Sequence, residues 1–529
     1  MAEGDRSIRE WATHRQDNPR RSGILLHPTS LPGSFGIGSL GREALAFLDF
    51  LEAGEQCIWQ VLPLGPTGYG DSPYQSFSSF AGNPLLIDPE ELQREGFLAP
   101  EHLEGAPQFP AEHVDYQGVF AFKRELLRIA HSNWKRRGDP KIRLEFDSFC
   151  ERERSWLEDF SLFMALKRTF EADGLSGAWN NWPAELARRK PDALERWRET
   201  VSDEIEQQKF QQYLFFRQWE TVRRHAADRG IHIIGDLPIY VAYDSADTWS
   251  NQELFHLDAE GSPTVVAGVP PDYFSDTGQL WGNPLYNWKR HKDTGYRWWI
   301  ERIRASLRLV DSVRLDHFRG FEAYWQVPAG EPTAVNGRWV KGPGAQLFDV
   351  LKQTLEHDSG DLPLIAEDLG VITPEVEQLR DRFGFPGMKV LQFAFDLDAD
   401  NDYLPHNYLP NCVVYTGTHD NDTTLGWYRR ESDAVKDQVR RYLGRDAQDV
   451  VWDLIRLAFS SAADTAVIPL QDAMKLGSEA RMNVPSRGQG NWQWRFTKQL
   501  ITKEIIGRLR ELSRLYGRCS QINSGAQIP

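Results

Sequence analysis

The sequence predicts an α/β fold, a (β/α)8 TIM barrel, because short apolar segments repeatedly end in acidic residues and are separated by helix-length stretches. In such barrels the active site lies at the carboxyl ends of the parallel strands. An acid at or just past the end of each of four predicted strands fits that face. The four segments and their acids are 231–235 with Asp236, 309–315 with Asp316, 363–366 with Glu367, and 411–415 with Asp420.

The other four strands of the barrel are predicted from the same signals. Each candidate is short, rich in apolar residues and bounded by Gly, Pro or charged residues, as strands buried on both faces are. Helical spacing of three and four around Phe210 and Leu214 precedes the third strand. The candidates for the first, second, sixth and eighth strands are 22–27, 57–64, 388–395 and 465–470.

The length of the chain, 529 residues, allows several domains, but barrels with insertions exceed about 400 residues as one domain. We therefore predict a polar N-terminal extension at 1–21 and a single barrel domain at 22–529. An insertion at about 68–202 contains helix-like segments and is predicted to be mainly helical. A second insertion at 240–288, rich in Gly, Pro and aromatic residues, is predicted to form loops over the C-terminal face.

Charge and composition limit the partners of the protein. The net charge of −15 argues against nucleic acid and anionic membranes, so a neutral substrate is the simplest partner. The four cysteines are sparse and form no CxxC pair, which favours a reducing compartment and no structural zinc. Neither a signal peptide nor an apolar stretch of about 18 residues is present. We expect a soluble, cytoplasmic protein.

The segment 313–320 is the most informative strand end. Side chains alternate along a strand, so Arg314 and Asp316 point to the same face. An arginine beside a carboxylate favours its ionised form, and an ionised carboxylate is a nucleophile. The alternative is a structural Arg–Asp ion pair without a chemical role.

Aromatic residues point to the class of substrate. They make up 12% of the chain, and several stand beside Gly, Pro and Asn in predicted loops, where amphipathic rings suit the apolar faces and hydroxyl rim of a sugar. The alternative is that most of them are ordinary core residues. The loop aromatics are Tyr69, Tyr74, Tyr273, Phe274 and Trp281.

Glycosidic chemistry accounts for the acids. A retaining enzyme uses an ionised carboxylate as nucleophile and a protonated carboxyl about 5–5.5 Å away as acid. Asp316 and Glu367 lie on what we expect to be adjacent strands, and Asp420 could hold sugar hydroxyls. His317 and His419 are then hydroxyl ligands. A metal site is the rival hypothesis, but no HExxH or EF-hand motif supports it.

Several long motifs together resemble one protein family across nearly the whole chain. The sequence is similar to the amylomaltases, or disproportionating enzymes, which are 4-α-glucanotransferases related to the α-amylases. Besides the acid motifs, the matching segments are 27–33, 68–74, 80–84, 235–241, 268–275, 279–284 and 481–485.

The resemblance implies a cofactor-free transfer of α-1,4-glucan segments to the 4-hydroxyl of another glucan or of glucose. Asp316 would be the nucleophile that forms a covalent glycosyl-enzyme, Glu367 the acid–base and Asp420 the transition-state stabiliser. A loop at 270–278 would overhang the cleft. The implied substrate-binding residues are Tyr74, Asp236, Trp281, Arg314, His317, His419 and Asn483, with Tyr69 and Tyr116 at a second, remote glucan site.

Two departures and two alternatives accompany this resemblance. Ser486 and Arg487 stand where the family usually has Gly-Thr, which restricts the backbone and adds a charge. Ser39 stands where the family more often has aspartate. A retaining hydrolase of α-amylase type would use the same acids with water as acceptor, and a non-catalytic glucan-binding protein would not need them.

Overall fold

The architecture is described from a computed structural model, which covers residues 20–271, 275–355, 361–485 and 487–519. In this part of the chain the strands are β1 (Arg21–Leu25), β2 (Ile58–Gln60), β3 (His232–Pro238), β4 (Val265–Val269), β5 (Gln279–Pro284), β6 (Ser312–Asp316), β7 (Ala323–Pro328), β8 (Arg338–Lys341), β9 (Leu364–Ala366), β10 (Gly387–Val390), β11 (Cys412–Tyr415) and β12 (Thr465–Pro469).

Eight of these strands form a parallel sheet in the order β10-β11-β12-β1-β2-β3-β6-β9. A backbone hydrogen bond from Ala366 N to Pro386 O (2.9 Å) joins its two ends. The predicted (β/α)8 barrel is confirmed, and a strand lies within or overlaps each predicted segment. The largest shift of a strand start is at β6, which begins at Ser312 because Leu309 is still the last residue of a helix.

Helices surround the barrel and fill the long segment between β2 and β3. The longest, Ser202–Asp228, packs against several helices of that segment, with the rings of Trp134 and Phe210 stacked at 4.7 Å. The α-helices are Arg42–Ala53, Pro89–Arg94, Pro100–Glu104, Tyr116–Arg137, Pro140–Arg152, Arg154–Ala172, Ala184–Ala187, Pro191–Thr200, Ser202–Asp228, Ala246–Ser250, Trp288–Asp293, Arg297–Leu309, Ala345–Leu355, Pro374–Arg382, Thr424–Arg430, Asp433–Leu443, Val450–Ser460, Leu470–Ala473 and Lys503–Leu515. Among the described residues, no helix is both long enough and apolar enough to cross a membrane.

A second sheet lies at the C-terminal face, where the sequence analysis expected only loops. It is antiparallel with the order β5-β4-β7-β8. The prediction for residues 240–288 was therefore wrong in part, because β4 and β5 belong to that segment. β4 pairs with β5 across the connection 270–278 and with β7 some 60 residues later, and neither connection is a short turn that signals a hairpin in the sequence. Residues 272–274 of the expected overhanging loop lie outside the described residues.

Both ends of the described chain meet at the barrel. Cys57, just before β2, and Cys519, after the last helix, form a disulfide across 462 residues. The sparse cysteine pattern did not predict this pairing and favoured a reducing compartment. Arg20 and Arg21, which the analysis assigned to the polar extension, also belong to the barrel: Arg21 begins β1, and Arg20 donates to the carbonyl oxygen of Tyr516 (2.8 Å).

Candidate active site

The predicted acids meet at the carboxyl ends of neighbouring barrel strands. Asp236 lies in β3, Asp316 ends β6, Glu367 directly follows β9, and Asp420 lies in the loop after β11. The strands β3, β6 and β9 are consecutive in the sheet. The charges of the other three acids all raise the pKa of Asp316, so the structure brings the predicted acid cluster together.

Arg314 is the buried cation at the centre of this cluster. The pairing of β3 with β6 sets it opposite Asp236. Its Nη1 donates to both carboxylate oxygens of Asp236, at 2.8 and 2.7 Å, and its Nη2 lies 3.0 Å from Oδ1 of Asp316. The guanidinium is therefore shared between two acids, which the sequence analysis did not anticipate.

This sharing changes the electrostatics expected for Asp316. Burial raises its pKa to about 8, with Arg314 opposing the shift and Asp236, Glu367 and Asp420 adding to it. One arginine does not keep several neighbouring carboxyls ionised, because like charges disfavour one another. The cluster therefore retains a proton near neutral pH, and that proton belongs to the interacting acids together. A retaining reaction needs such a mixture of one acid and one carboxylate.

Glu367 is held by the backbone of two loops. Its Oε2 accepts a hydrogen bond from the amide of His317 (2.6 Å) and its Oε1 from the amide of Leu369 (2.9 Å). His317 has a left-handed backbone conformation, with φ of 54°, as the chain turns sharply after β6. Burial raises the pKa of Glu367, which suits a group that must carry a proton.

Asp420 is fixed by the segment that follows β12. Asn483 Nδ2 donates to its Oδ1 at 2.6 Å, and Arg481 Nη2 donates to its backbone carbonyl at 2.6 Å. The neighbouring His419 carbonyl accepts a hydrogen bond from the amide of Asn483 (3.1 Å). Asn483 was expected to bind substrate, and in the structure its side-chain amide contacts and orients the Asp420 carboxylate.

Aromatic rings form one wall of the cleft. Tyr74 donates its hydroxyl to Asp236 (2.8 Å), and its ring stacks on His419 with centroids 5.1 Å apart. Trp492 packs against both rings at 5.7 and 5.9 Å. Sequence reasoning missed the contact of Trp492, because it stands in a loop more than 400 residues from Tyr74.

A second group of rings contains His317 and Trp281, which meet edge to face at 4.8 Å. Burial lowers the pKa of His317 to about 3, so its imidazole is neutral at physiological pH. Its Nε2 has no hydrogen-bond partner among the described residues. An unpaired buried nitrogen favours a ligand hydroxyl over an acid–base role.

The two tyrosines predicted for a remote site differ in exposure. Tyr69 is 80% exposed and lies beside Gly488, whereas Tyr116 is 7% exposed and donates its hydroxyl to the carbonyl of Trp492 (2.9 Å). The structure thus leaves one ring open for stacking and buries the other. Arg487 is exposed in the same loop, and Ser486 lies outside the described residues.

Among the described residues one group of potential metal ligands comes together, His131, Asp203 and Glu206. Lys135 Nζ already lies 2.7 Å from Asp203 and 2.8 Å from Glu206, so these acids have a cation between them. The group lies in the helical segment between β2 and β3 and contributes nothing to the acid cluster.

Comparisons with known proteins identify the family of this chain. Residues 26–501 match the sequence profile of the 4-alpha-glucanotransferase family. The 4-alpha-glucanotransferase of Thermus thermophilus is 53% identical over 505 residues, covering 94% of this chain and 98% of the relative. That of Synechocystis is 51% identical over 502 residues, covering 94% and 98%.

Solved structures extend the comparison to the fold. The amylomaltase from Streptococcus agalactiae, determined in complex with acarbose, matches with a TM-score of 0.90 and 41% identity, covering 94% of this chain and 99% of that one. An amylomaltase from Corynebacterium glutamicum shares the fold at 21% identity, with a TM-score of 0.75. The chain therefore belongs to the 4-α-glucanotransferase family.

Proposed function

We propose that the acid cluster performs the 4-α-glucanotransferase reaction by retaining double displacement. Asp316 attacks the anomeric carbon while Glu367 protonates the departing glycosidic oxygen, which leaves a glycosyl ester on Asp316. Glu367, now a carboxylate, then takes the proton from the 4-hydroxyl of an acceptor glucan, and that oxygen displaces Asp316. The observation that carries the proposal is the cluster of four acids around one shared guanidinium.

The remaining residues have roles that follow from their contacts. Asp420, oriented by Asn483, accepts hydrogen bonds from hydroxyls of the sugar as positive charge develops on the ring. Tyr74 and Trp281 supply aromatic surface to the sugar, and His317 offers its unpaired Nε2 to a hydroxyl. Asp236 and Arg314 keep the attacked sugar and the nucleophile in register.

We propose maltooligosaccharides and longer α-1,4-glucans as substrates, with glucose as an acceptor. The neighbour from Streptococcus agalactiae binds acarbose, and the cleft here offers aromatic walls and neutral imidazoles to a similar uncharged sugar. Cytoplasmic glycogen, starch or maltodextrin turnover is the setting we propose. The exposed ring of Tyr69 is the candidate platform of a second glucan site.

The test separates transfer from hydrolysis by α-amylase-type chemistry. The purified protein is incubated with maltotriose, and both the product ladder and the number of reducing ends are followed. Glucose and longer maltodextrins at constant reducing ends are expected for a transferase. Reducing ends that rise in step with turnover would make water the acceptor. Asp316→Asn should abolish both signals, because the glycosyl ester requires its carboxylate.

The remote site has its own test. Tyr69→Ala should weaken binding of long glucans and leave maltotriose turnover near wild type, because its ring lies on the surface. Equal losses with long and short substrates would count against a separate site.

A further inference from the structure

Asp472 lies beneath the loop that carries His419 and Asp420. It belongs to the short helix Leu470–Ala473 after β12 and is 1% exposed. Its Oδ2 accepts hydrogen bonds from the hydroxyls of Thr416 and Thr424, both at 2.6 Å, and its Oδ1 accepts one from the amide of Thr424 (2.7 Å). One buried carboxylate therefore holds three donors.

These donors mark the two ends of the catalytic loop. Thr416 directly follows β11, and Thr424 is the first residue of the helix Thr424–Arg430. The residues between them form a loop at the end of the barrel, with Asp420 at its middle. Because the carboxylate of Asp472 binds both Thr416 and Thr424, it fixes the distance between the two ends of the loop. Neither β11 nor the helix fixes that distance alone.

We propose that Asp472 is a positioning residue for the reaction, which closes the base of the 416–424 loop and thereby sets the place of the Asp420 carboxylate in the cleft. The loop is then held from two sides. Asp472 fixes its base from the barrel side, while Arg481 and Asn483 hold the backbone carbonyl and the carboxylate of Asp420.

The chemistry of the contact requires a carboxylate. An ionised carboxyl only accepts hydrogen bonds, so it can pair with two hydroxyl donors and one amide donor at the same time. Burial raises the pKa of Asp472, and the hydrogen bonds from Thr416 and Thr424 oppose that shift. An asparagine has a single acceptor oxygen and a donor amide group, so at least one of the three donors would face an N–H.

A purely structural acid is the competing explanation, and Asp88 provides the matched control. It is also a buried acid, 6% exposed, that accepts from the hydroxyl of Ser39 (2.5 Å) and the amide of Glu91 (2.9 Å). It caps the helix Pro89–Arg94, outside the acid cluster. Asp88→Asn therefore reports what the loss of a buried hydrogen-bonded acid does to the fold alone.

The experiment compares Asp472→Asn with Asp88→Asn by thermal midpoint and by kcat and KM on maltotriose, well below both midpoints. A misplacement of about 1 Å can cost about 100-fold in rate. We expect Asp472→Asn to lower kcat by at least about 10-fold and to change KM by less than about 3-fold. Asp88→Asn should lower the midpoint and keep kcat within about 2-fold. Wild-type kcat in Asp472→Asn, or an equal loss in both variants, would overturn the proposal.

A milder variant covers the case in which Asp472→Asn does not fold. Thr416→Val keeps the shape of the side chain and removes one of the three donors. We expect it to reduce kcat by about 3-fold or more, since the base of the loop loses one of its three hydrogen bonds and Asp420 is held less closely in place, and an unchanged kcat would overturn the proposal. The inference rests on the proposed role of Asp420, so Asp420→Asn is assayed in parallel. Turnover retained in Asp420→Asn would refute that role, whereas turnover lost there and retained in Asp472→Asn would refute the positioning alone.

Discussion

Replacing Tyr74 by phenylalanine removes one hydroxyl from the centre of the cleft and keeps the ring that stacks on His419. The hydroxyl donates to Oδ2 of Asp236 at 2.8 Å, the same oxygen that Arg314 Nη1 approaches at 2.7 Å. Without the phenol, Asp236 relies on Arg314 alone, and the guanidinium is drawn away from Asp316. Asp316, the proposed nucleophile, thereby loses part of its opposing charge.

The magnitude follows from the type of bond that is lost. A hydrogen bond to a charged group contributes about 1.5–3 kcal/mol, which corresponds to about 10- to 150-fold in kcat/KM. The assay is the initial rate of glucose release from maltotriose at several substrate concentrations. The stacked ring remains, so we expect most of the loss in kcat.

A matched control tests whether any buried phenol would do the same. Tyr213 is 5% exposed and donates its hydroxyl to Oε2 of Glu145 at 2.9 Å, within the helical segment outside the cleft. Tyr213→Phe should lower the thermal midpoint and keep kcat/KM within about 2-fold, as expected of a change away from the site. Rates within 2-fold of wild type in Tyr74→Phe, or equal losses in both variants, would refute the reasoning.

Three further outcomes are expected. Glu367→Gln should lose about 100- to 10,000-fold in kcat with maltotriose binding retained, as measured by calorimetry; a variant at wild-type rate would end the acid–base role. The acid cluster retains a proton near neutral pH because burial raises the pKa of Asp316 and of Glu367, and the proposed reaction needs that proton on Glu367, so kcat/KM should fall as the pH rises far enough to remove it. A kcat/KM that stays constant from neutral to strongly alkaline pH would contradict this. Cys519→Ser should lower the thermal midpoint by a few degrees, since a disulfide contributes about 2–4 kcal/mol, and reductant should lower the wild-type midpoint equally; a variant still sensitive to reductant would show that another bond is responsible.

The barrel could be predicted because the sequence signals of each strand lie in adjacent residues. An apolar run, a breaker and an acid at its end, as in 363–366 with Glu367, are features of adjacent residues. The antiparallel sheet could not be predicted in this way. The strand β4 pairs with β5 across the long connection 270–278 and with β7 still later in the chain, and Gly268 opposite Trp325 gives no alternating pattern on its own.

The contacts of the site also fall into two kinds, those between residues close in sequence and those between residues far apart in sequence. Asp316 and Arg314 share a face of one strand, so their contact follows from the period of two. Trp492 and Asp472 approach Tyr74 and Thr416 only through the closed barrel. The Cys57–Cys519 bond is of the same kind, because nothing in the spacing of two cysteines 462 residues apart indicates that the first and last parts of the barrel adjoin.

Chemically similar acids in one cleft acquire different roles through the donors that they hold. Both carboxylate oxygens of Asp236 accept hydrogen bonds from Arg314, and one also accepts from the hydroxyl of Tyr74. Its negative charge is therefore balanced by the guanidinium, and both oxygens have donors. Glu367 receives a backbone amide on each oxygen, which fixes its orientation while burial favours its protonated form. Asp316 meets Arg314 through Oδ1, and within the described part of the chain its Oδ2 makes no hydrogen bond. Of these three acids, Asp316 is the one with an oxygen free to form a new bond to carbon, which supports its proposed role as the nucleophile.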